Sequence, residues 1–407
     1  MLKCRVTILI SLFCAPLIAQ DITTVSGIVT DQQTHHPLPY VSVTAGSVGT
    51  VTNEQGQFTL KISKKKDEVR EDSLTFSLIG YKNQRAAISS SIHIQLQPAV
   101  VTLSEVVVRY HSAEDIVRAA ISKFPSNYSL QPVSYKGFYR EVMQKRRQYI
   151  SICEAIVEMY KTSYDRPTLF DAVAIRRGRR MMNIKSADTL AVKLKGGPQL
   201  PLVADVVKNE ELLFYADDMP CYRYDYDGEE QLDQRPHYVV RMTPEGKRPY
   251  ALFNAVLYID QQTLAISRAD LHLDMSNRAV ATSTMLVHRP AGLHFTPSEL
   301  SFHIYYRTEG SVTHLNYVRN VMRFKCDWHR RLFASNFTVT SEFVVTDIQP
   351  KATPIRGRDS FHSRDNLYDN VEFFDAPDFW GADNIILPTE PLNRAIERLR
   401  RTVKAQQ

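Results

Sequence analysis

The feature that most constrains this chain is a series of short alternating segments within residues 25–108. In each segment, apolar side chains recur at every second position, as at Phe58, Leu60 and Ile62. A period of two places these side chains on one face of a pleated strand and the polar residues between them on the other. Turn-forming Asn, Asp, Gly and Pro residues separate the segments. We therefore predict a mainly β fold that begins with a small sandwich over residues 22–98.

Five motifs in this region also resemble a known domain family. In chain order they are SGIVTD, PLPYVSV, GTVTNEQGQFTL, LIGY and LSEVVV. Their order resembles the carboxypeptidase-regulatory-like domain found in cell-envelope proteins of Bacteroidota. The resemblance implies a seven-stranded-type, transthyretin-like β-sandwich that typically serves as a scaffold. It does not specify a ligand.

Residues 1–19 have the pattern of a secretory signal peptide. Lys3 and Arg5 precede a short apolar run, and Ala19 supplies a small residue at the expected cleavage site. We therefore expect an exported protein of the periplasm or the outer membrane. Cys14 raises the question of a lipid anchor, but Phe13 is bulkier than the residue that such signals place before the cysteine.

The rest of the chain is predicted to form three parts. Residues 99–125 supply a connecting strand and a helix, with Ser112 as the expected N-cap. Residues 126–349 contain longer alternating segments, which indicate a larger antiparallel β domain with a curved or half-barrel shape. Residues 350–407 supply a polar connection and a C-terminal helix.

Two segments of the larger domain bear on its function. The hairpin predicted at Leu257–Asp274 is similar to one in lipoprotein-carrier folds, in which a half-barrel encloses an acyl chain. Val280–Val287 is expected to be a further strand of the same meander. The C-terminal part of the chain also resembles uncharacterised envelope proteins of the same bacterial group. A carrier of a lipid or another apolar ligand is therefore one alternative function, and a generic meander is the other interpretation.

The C-terminal helix is predicted to be amphipathic and basic. Arginine and lysine residues surround an apolar stripe that consists of Leu392, Ala395, Ile396, Leu399 and Val403. Such a helix either docks on the sheet with the stripe inward or lies on an anionic membrane surface. We expect docking and retain contact with a membrane surface as the alternative.

One spacing suggests zinc chemistry. His111 and Glu114 form an HxxE pair, and His237 and Glu309 are distant candidates for a third ligand and a general base. Ser112 is better explained as a helix cap, and the β-rich surroundings differ from the alternating strands and helices of metallocarboxypeptidases. A zinc carboxypeptidase-type hydrolase is therefore only an alternative, and no enzyme activity, metal or cofactor is predicted.

Acidic residues suggest a second kind of catalytic site. Glu141, Glu154 and Glu158 can form a carboxylate pair suited to glycoside hydrolysis only if the strands bring two of them together. Neither a GxSxG nor an HExxH motif occurs in the chain. The hypothesis of a carboxylate pair therefore depends on where the strands place these residues, and no recognisable catalytic motif supports it.

The densest basic cluster is the candidate binding patch, which consists of Arg176, Arg177, Arg179 and Arg180. It can meet lipid headgroups, phosphates of a polysaccharide or an acidic partner, or it can be a solvated face with local ion pairs. The formal net charge of +6 is too small to argue for nucleic-acid binding. We predict an exported, non-enzymatic binding or adaptor protein whose partner is an unknown envelope protein or glycan.

Overall fold

The computed structural model describes residues 22–63, 72–99, 110–165, 170–182, 193–194, 197–232, 234–246, 248–288, 291–328, 334–349, 351–362, 365, 367–372 and 379–404. The predicted signal peptide and the LSEVVV motif at residues 103–108 lie outside these residues.

The first unit is a β-sandwich, which we call the sandwich. Its described strands are β1 Ile22–Asp31, β2 Ser42–Ala45, β3 Val48–Val51, β4 Gln57–Ser63, β5 Ser73–Ser77, β6 Gln84–Ala87 and β7 Ser91–Leu96. One sheet has the order β4-β1-β7 and the other has the order β3-β2-β5-β6. The alternating apolar side chains, such as Phe58, Leu60, Leu74 and Phe76, form the core between the sheets. The predicted sandwich is confirmed.

One strand pair in the sandwich departs from the antiparallel pattern. β1 and β7 run parallel, with Gly27 opposite Ile92. The chain crosses from β6 in one sheet to β7 in the other before this pair forms. A Cβ at position 27 would lie 2.1 Å from the Ile92 carbonyl oxygen and 2.8 Å from the Phe58 ring. Glycine is therefore required where these strands approach closely.

The second unit is a curled antiparallel sheet, which we call the half-barrel. Its strands are β8 Val133–Lys145, β9 Gln148–Lys161, β10 Ala172–Met182, β12 Tyr222–Leu232, β13 Arg235–Pro244, β14 Phe253–Asp260, β15 Ile266–Leu273, β17 Leu293–Glu309, β18 Val312–Trp328 and β19 Ser335–Gln349. Their order is β12-β13-β14-β15-β17-β18-β19-β8-β9-β10. Two short strands, β11 Lys193–Leu194 and β16 Leu286–His288, pair with each other. The mainly β, curved second unit is as predicted.

The helices are α1 Ala113–Ser122, α2 Phe124–Asn127, α3 Leu200–Ala204, α4 Arg278–Met285 and α5 Glu390–Lys404. The Ser112 hydroxyl caps α1 by accepting the Asp115 N–H at 3.1 Å, as predicted. The strand expected at Val280–Val287 is wrong, because α4 covers most of it. The Asn277 side chain starts that helix by accepting two backbone N–H groups. None of the helices in the described ranges combines the length and the hydropathy needed to cross a membrane.

Backbone pairing joins the two units. β18 and β19 stop pairing after Tyr317 and Val344, and the sandwich strand β3 then lies beside β19. Val48 of β3 is opposite Asp347, whose carboxylate also accepts the Ser47 hydroxyl at 3.0 Å. One sheet of the sandwich thus continues the sheet of the half-barrel.

The C-terminal strap, residues 379–404, contacts both units. The Asn384 side chain accepts the Lys61 N–H at 2.7 Å and donates to the Lys61 carbonyl at 3.0 Å, so it pairs with edge strand β4 as a neighbouring strand would. The strap then continues into α5. The apolar stripe of α5 packs on the outer face of the half-barrel, where the contacting cluster consists of Leu392, Ala395, Leu399, Val142, Ile152 and Met181. Leu392, Ala395 and Leu399 of the predicted stripe are therefore buried on the sheet.

Candidate functional site

A cleft lies where the sandwich meets the half-barrel, and we call it the interunit cleft. Its volume is about 120 Å³. Strands β2 and β5 of the sandwich form one wall, and residues of β13, β15, β17 and β18 form the other. Ligand sites occur preferentially where two structural units meet, so this cleft is the candidate functional site.

The sandwich wall is a row of short hydroxyl side chains. Val43 and Phe76 face the sandwich core. Because strand residues alternate, their neighbours face the cleft, and these are Ser42, Thr44, Thr75 and Ser77. At one end of the row, the Tyr40 ring stacks on Tyr317 with centroids 5.5 Å apart. The polar face of these strands therefore lines the joint between the units.

The half-barrel wall supplies three arginines, Arg235, Arg268 and Arg307. Asp and Glu are absent from the described residues that line the cleft. The nearest carboxylates lie outside the lining, as in the case of Asp260, whose Oδ2 is 3.0 Å from Arg235 Nη1. The surface that a ligand would meet is therefore cationic and rich in hydroxyl groups.

Arg268 is held rigidly by its neighbours. Its Nε and Nη2 contact the two carboxylate oxygens of Asp270 at 3.0 and 2.8 Å. Its guanidinium also lies 5.1 Å from the Tyr258 ring centroid and 4.9 Å from that of Tyr305. Burial alone would lower the pKa of Arg268, but Tyr305 and Asp270 raise it above its ordinary value. The residue is a fixed cation at the cleft.

Arg307 is more deeply buried, and part of its hydrogen-bonding capacity is unused. Its side chain is 11% exposed, and Nη2 contacts the Ser47 carbonyl at 3.0 Å and Glu309 at 2.8 Å. Nε and Nη1 are also buried, and the described part of the chain offers them no hydrogen-bond partner. Burial lowers the pKa of Arg307. An unmade hydrogen bond of a buried donor is costly, so these two nitrogens favour an acceptor within reach.

A serine–histidine contact lies beside the arginines. Ser267 lines the cleft at a point where the β14–β15 register shifts, and its Oγ is 2.8 Å from Nε2 of the buried His237. His237 Nδ1 lies 3.0 Å from the Arg235 carbonyl oxygen, which can only accept a hydrogen bond. In a neutral imidazole, Nδ1 therefore carries the hydrogen and Nε2 accepts from the Ser267 hydroxyl. Asp260 approaches the same Nε2 at 3.9 Å, so it does not orient the ring from the opposite nitrogen.

Two arginines of the candidate binding patch lie at a second groove. Arg176 pairs with Glu158, and Arg177 donates to the Phe379 carbonyl at 2.9 Å. The groove has a volume of about 460 Å³. Its lining has mixed charge, because acidic residues also contribute, namely Asp359, Asp365 and Glu372.

The other two arginines of the patch are part of contacts within the chain. Arg179 donates to Glu154 at 2.6 Å, and Arg180 donates to the Tyr368 carbonyl. Glu154 is fully buried and accepts a second bond of 2.7 Å from Arg140. All four arginines thus hold strands or the C-terminal region in place, and a role for them in ligand binding stays a prediction.

The residues of the HxxE hypothesis have separate partners. His111 is exposed, and Glu114 accepts a hydrogen bond from Arg118 one helical turn away at 2.6 Å. His237 contacts Ser267, and Glu309 contacts Arg307. Within the described ranges, His, Cys, Asp and Glu residues form no group of three or more that could hold a metal ion.

The carboxylate-pair hypothesis for Glu141 and Glu154 is wrong. Glu154 is directly opposite Arg140 in the β8–β9 pair, whereas Glu141 is opposite Cys153, so the two carboxylates lie on opposite faces of the sheet. Glu141 accepts the Tyr139 hydroxyl at 3.1 Å, and burial raises its pKa.

The interior of the half-barrel is occupied by the segment at residues 200–214. Asp205 anchors this segment by accepting from Lys161 Nζ at 2.6 Å and from the hydroxyls of Tyr164 and Tyr306 at 2.8 Å each. Apolar residues of the same segment join the core, and they are Leu200, Ala204, Val206, Val207, Leu213 and Phe214. A ligand inside the half-barrel would have to displace this segment.

Sequence reasoning did not identify Arg235, Arg268, Arg307 or Ser267. Arg268 and Arg307 occupy polar positions of alternating strands, a pattern that usually indicates a solvated face. The one signal in the sequence was the presence of arginine and serine at these positions, because a strand face that a second unit covers also carries these residue types. Recognising that cover requires the joint between the units.

Comparisons with known proteins agree with one part of the sequence analysis. Residues 25–108 match the family model described as CarboxypepD_reg-like domain. A comparison with curated proteins finds no match.

Some solved structures resemble the chain at low identity. One is a domain from Vibrio parahaemolyticus named for outer membrane lipoprotein sorting, with 10% identity and a TM-score of 0.27 over 60% of this chain and 94% of that chain. Another is a LolA superfamily protein from Nitrosomonas europaea, with 11% identity and a TM-score of 0.24 over 60% of this chain and 96% of that chain. Likenesses at these TM-scores carry no argument about this chain. The carboxypeptidase-regulatory-like domain that the motifs predicted is confirmed for residues 25–108 by the family model.

Proposed function

We propose that this chain is an exported, non-enzymatic binding protein whose ligand occupies the interunit cleft. The observation that carries the proposal is the cleft itself, because each of its walls carries polar side chains and each belongs to a different unit. A ligand between them would contact the sandwich and the half-barrel at once. The partner is proposed to be an envelope protein or a glycan, and the ligand is a part of it.

The place of action is proposed to be the periplasm or the inner face of the outer membrane. The support is the secretory pattern of residues 1–19, in which Lys3 and Arg5 precede a short apolar run. Fractionation of cells that express the full chain tests this part. Recovery of the protein in the cytoplasm with residues 1–19 still attached would contradict it.

A carrier of an apolar ligand is less well supported than a binding protein. The half-barrel interior that would hold an acyl chain is occupied by residues 200–214, and Asp205 of this segment accepts three hydrogen bonds there. Displacing the segment would leave Lys161 as a buried cation without that carboxylate, which is costly. The interunit cleft needs no such displacement.

A hydrolase is the remaining alternative, and Ser267 is the residue that tests it. Its contact with His237 supplies a hydroxyl and an imidazole, but the second ring nitrogen meets a backbone carbonyl and not a carboxylate. We expect a fluorophosphonate probe to leave Ser267 unlabelled in the folded protein. Labelling that Ser267→Ala abolishes would contradict the non-enzymatic proposal.

The direct test of the proposed function is a thermal-shift screen of the full chain with a variant that fills the cleft. Ser77→Trp places an indole in the cleft, because Ser77 belongs to its lining. Ser73→Trp is the matched control, because Ser73 lies on the same strand and face but outside the lining. The screen covers neutral, cationic and anionic small molecules.

We expect at least one class of compound to raise the Tm of the wild type and of Ser73→Trp but not that of Ser77→Trp. Ligand binding raises Tm by mass action, so the shift should grow with ligand concentration. A shift of equal size in both tryptophan variants would place binding elsewhere and overturn the proposal. The same holds if no compound shifts the wild type.

A further inference from the structure

The charged residues described in the lining of the interunit cleft are all arginines. Arg235, Arg268 and Arg307 line it, and their partner carboxylates stand outside the lining. These partners are Asp260, Asp270 and Glu309. They hold the arginine side chains in place by ion pairs, and they are not among the described residues that line the cleft. A carboxylate that enters the cleft would therefore meet guanidinium groups first.

The arginines also have donors that their partners do not use. The bidentate contact of Arg268 with Asp270 employs Nε and Nη2, so the Nη1 hydrogens take no part in it. Arg307 uses Nη2 for Ser47 and Glu309, and its Nε and Nη1 are buried, so this residue contributes positive charge to the cleft, and the free donors that a ligand can reach are those of Arg268. An anionic oxygen is the acceptor that gives such donors the strongest hydrogen bonds.

The sandwich wall of the cleft favours a different kind of ligand group. Ser42, Thr44, Thr75 and Ser77 come from two neighbouring strands and present hydroxyl groups that can both donate and accept. A simple inorganic anion would use only the donor capacity of these hydroxyls, whereas a polyhydroxylated molecule would use both their donors and their acceptors. The cleft also restricts size, because 120 Å³ corresponds to about four water molecules at roughly 30 Å³ each, so it favours a small ligand.

From these three features we infer that the interunit cleft selects a small hydroxylated carboxylate, the class that includes the hexuronic acids. The carboxylate contacts the arginines of the half-barrel, and the hydroxyl groups contact the sandwich row. This inference rests on the proposed function, since it specifies the ligand of the same cleft.

Isothermal titration calorimetry of the full chain tests the inference with three probes. D-glucuronate carries both the carboxylate and the hydroxyl groups, glucose carries the hydroxyl groups alone, and acetate carries the carboxylate alone. We expect glucuronate to bind at least tenfold more tightly than either of the others, and its affinity to fall as salt is added. Equal affinity for glucose would overturn the role of charge, and equal affinity for acetate would overturn the role of the sandwich row.

Variants assign the binding to the arginines. Arg268→Gln is expected to weaken glucuronate binding roughly 10- to 100-fold, as for the loss of a hydrogen bond to a charged group. Arg235→Gln is the second variant, because the side chain is 29% exposed and a glutamine there can still donate to the buried Asp260. Arg241→Gln is the matched control, since Arg241 lies on the same strand as Arg235 and pairs with Asp227 outside the cleft. Unchanged affinity in both cleft variants, or an equal loss in Arg241→Gln, would overturn the assignment.

The outcomes separate this inference from the proposed function. If a neutral or cationic compound shifts the Tm of the wild type but not that of Ser77→Trp, and glucuronate does not bind, the cleft is a binding site and the ligand class inferred here is wrong. If no compound binds in a manner that Ser77→Trp blocks, both statements fail.

Discussion

At the scale of single residues, the buried Glu154 shows how the outer face of the half-barrel is organised. Burial alone would raise its pKa, but the guanidinium groups of Arg140 and Arg179 lower it below its ordinary value. Arg140 is also buried and donates to the Ile386 carbonyl at 2.8 Å. One carboxylate therefore forms ion pairs with two arginines, one of which connects the strands with the strap.

Removing that carboxylate should be far more costly than removing a nearby exposed one. We expect Glu154→Gln to lower the free energy of unfolding by about 3–5 kcal/mol, because the buried Arg140 keeps only the longer contact with Glu342, at 3.9 Å. Glu158→Gln is the control, since the Glu158–Arg176 pair is exposed and should be worth less than about 1 kcal/mol. Chemical denaturation at pH 7 measures both values. Equal losses in the two variants would contradict this description of the ion pair.

His314 gives the protein a predictable response to acid. Burial, with a further contribution from Arg307, lowers its pKa from 6.5 to about 4. The unfolded chain therefore binds more protons than the folded chain between these values, so stability is full above pH 6.5 and falls as the pH drops toward 4. The loss from this residue should reach about 3 kcal/mol at pH 4. His314→Gln should flatten this part of the curve of unfolding free energy against pH, whereas His272→Gln, at an exposed position, should not.

At the scale of structural elements, the strap determines how firmly the sandwich is held. Asn384 forms two hydrogen bonds with the backbone of Lys61, and the Thr50 hydroxyl donates to the Ile385 carbonyl at 3.2 Å. Leu392, Ala395 and Leu399 of α5 are buried on the half-barrel, so a membrane contact by this helix would not use these three side chains. Such a contact stays a prediction, to be measured by co-sedimentation of the protein with anionic vesicles.

Loss of the Asn384 amide should loosen the edge of β4. We expect Asn384→Ala to cost about 1–3 kcal/mol and to speed hydrogen exchange at Lys61, because the Lys61 N–H loses its acceptor. Asn393→Ala, on an exposed position of α5, should change stability by less than about 0.5 kcal/mol. Exchange at Lys61 that is as slow in Asn384→Ala as in the wild type would show that the strap does not pair with β4.

The elements that could be predicted from the sequence are those governed by local signals. The period of two predicted the sandwich strands, and the expected cap at Ser112 predicted the start of α1. The strand prediction for Val280–Val287 is wrong because a short apolar segment is compatible with either a strand or a helix. The cap at Asn277 favours the helix. The cleft was beyond prediction for a different reason. It depends on the pairing of Val48 with Asp347, and no local pattern encodes a contact between residues so far apart in sequence.

At the scale of the whole molecule, the two units should behave as one cooperative body. β3 continues the sheet of β19, and the strap joins the sandwich to the outer face of the half-barrel. We expect peptides from β5 and from β18 to lose protection in a single transition when hydrogen exchange is followed through a denaturant series. Separate transitions for these peptides would mean that the units are independent and that the cleft between them is not fixed.

If the ligand sits between the units and not inside the half-barrel, it should protect both walls of the interunit cleft. Hydrogen–deuterium exchange of the full chain, with and without the compound that most raises its Tm, measures this protection. We expect slower exchange in the peptide that covers β5, which contributes Thr75 and Ser77 to the cleft, and in residues 305–308 of the opposite wall. Slower exchange confined to residues 200–214, with the cleft unchanged, would contradict it and would indicate a ligand in the interior of the half-barrel.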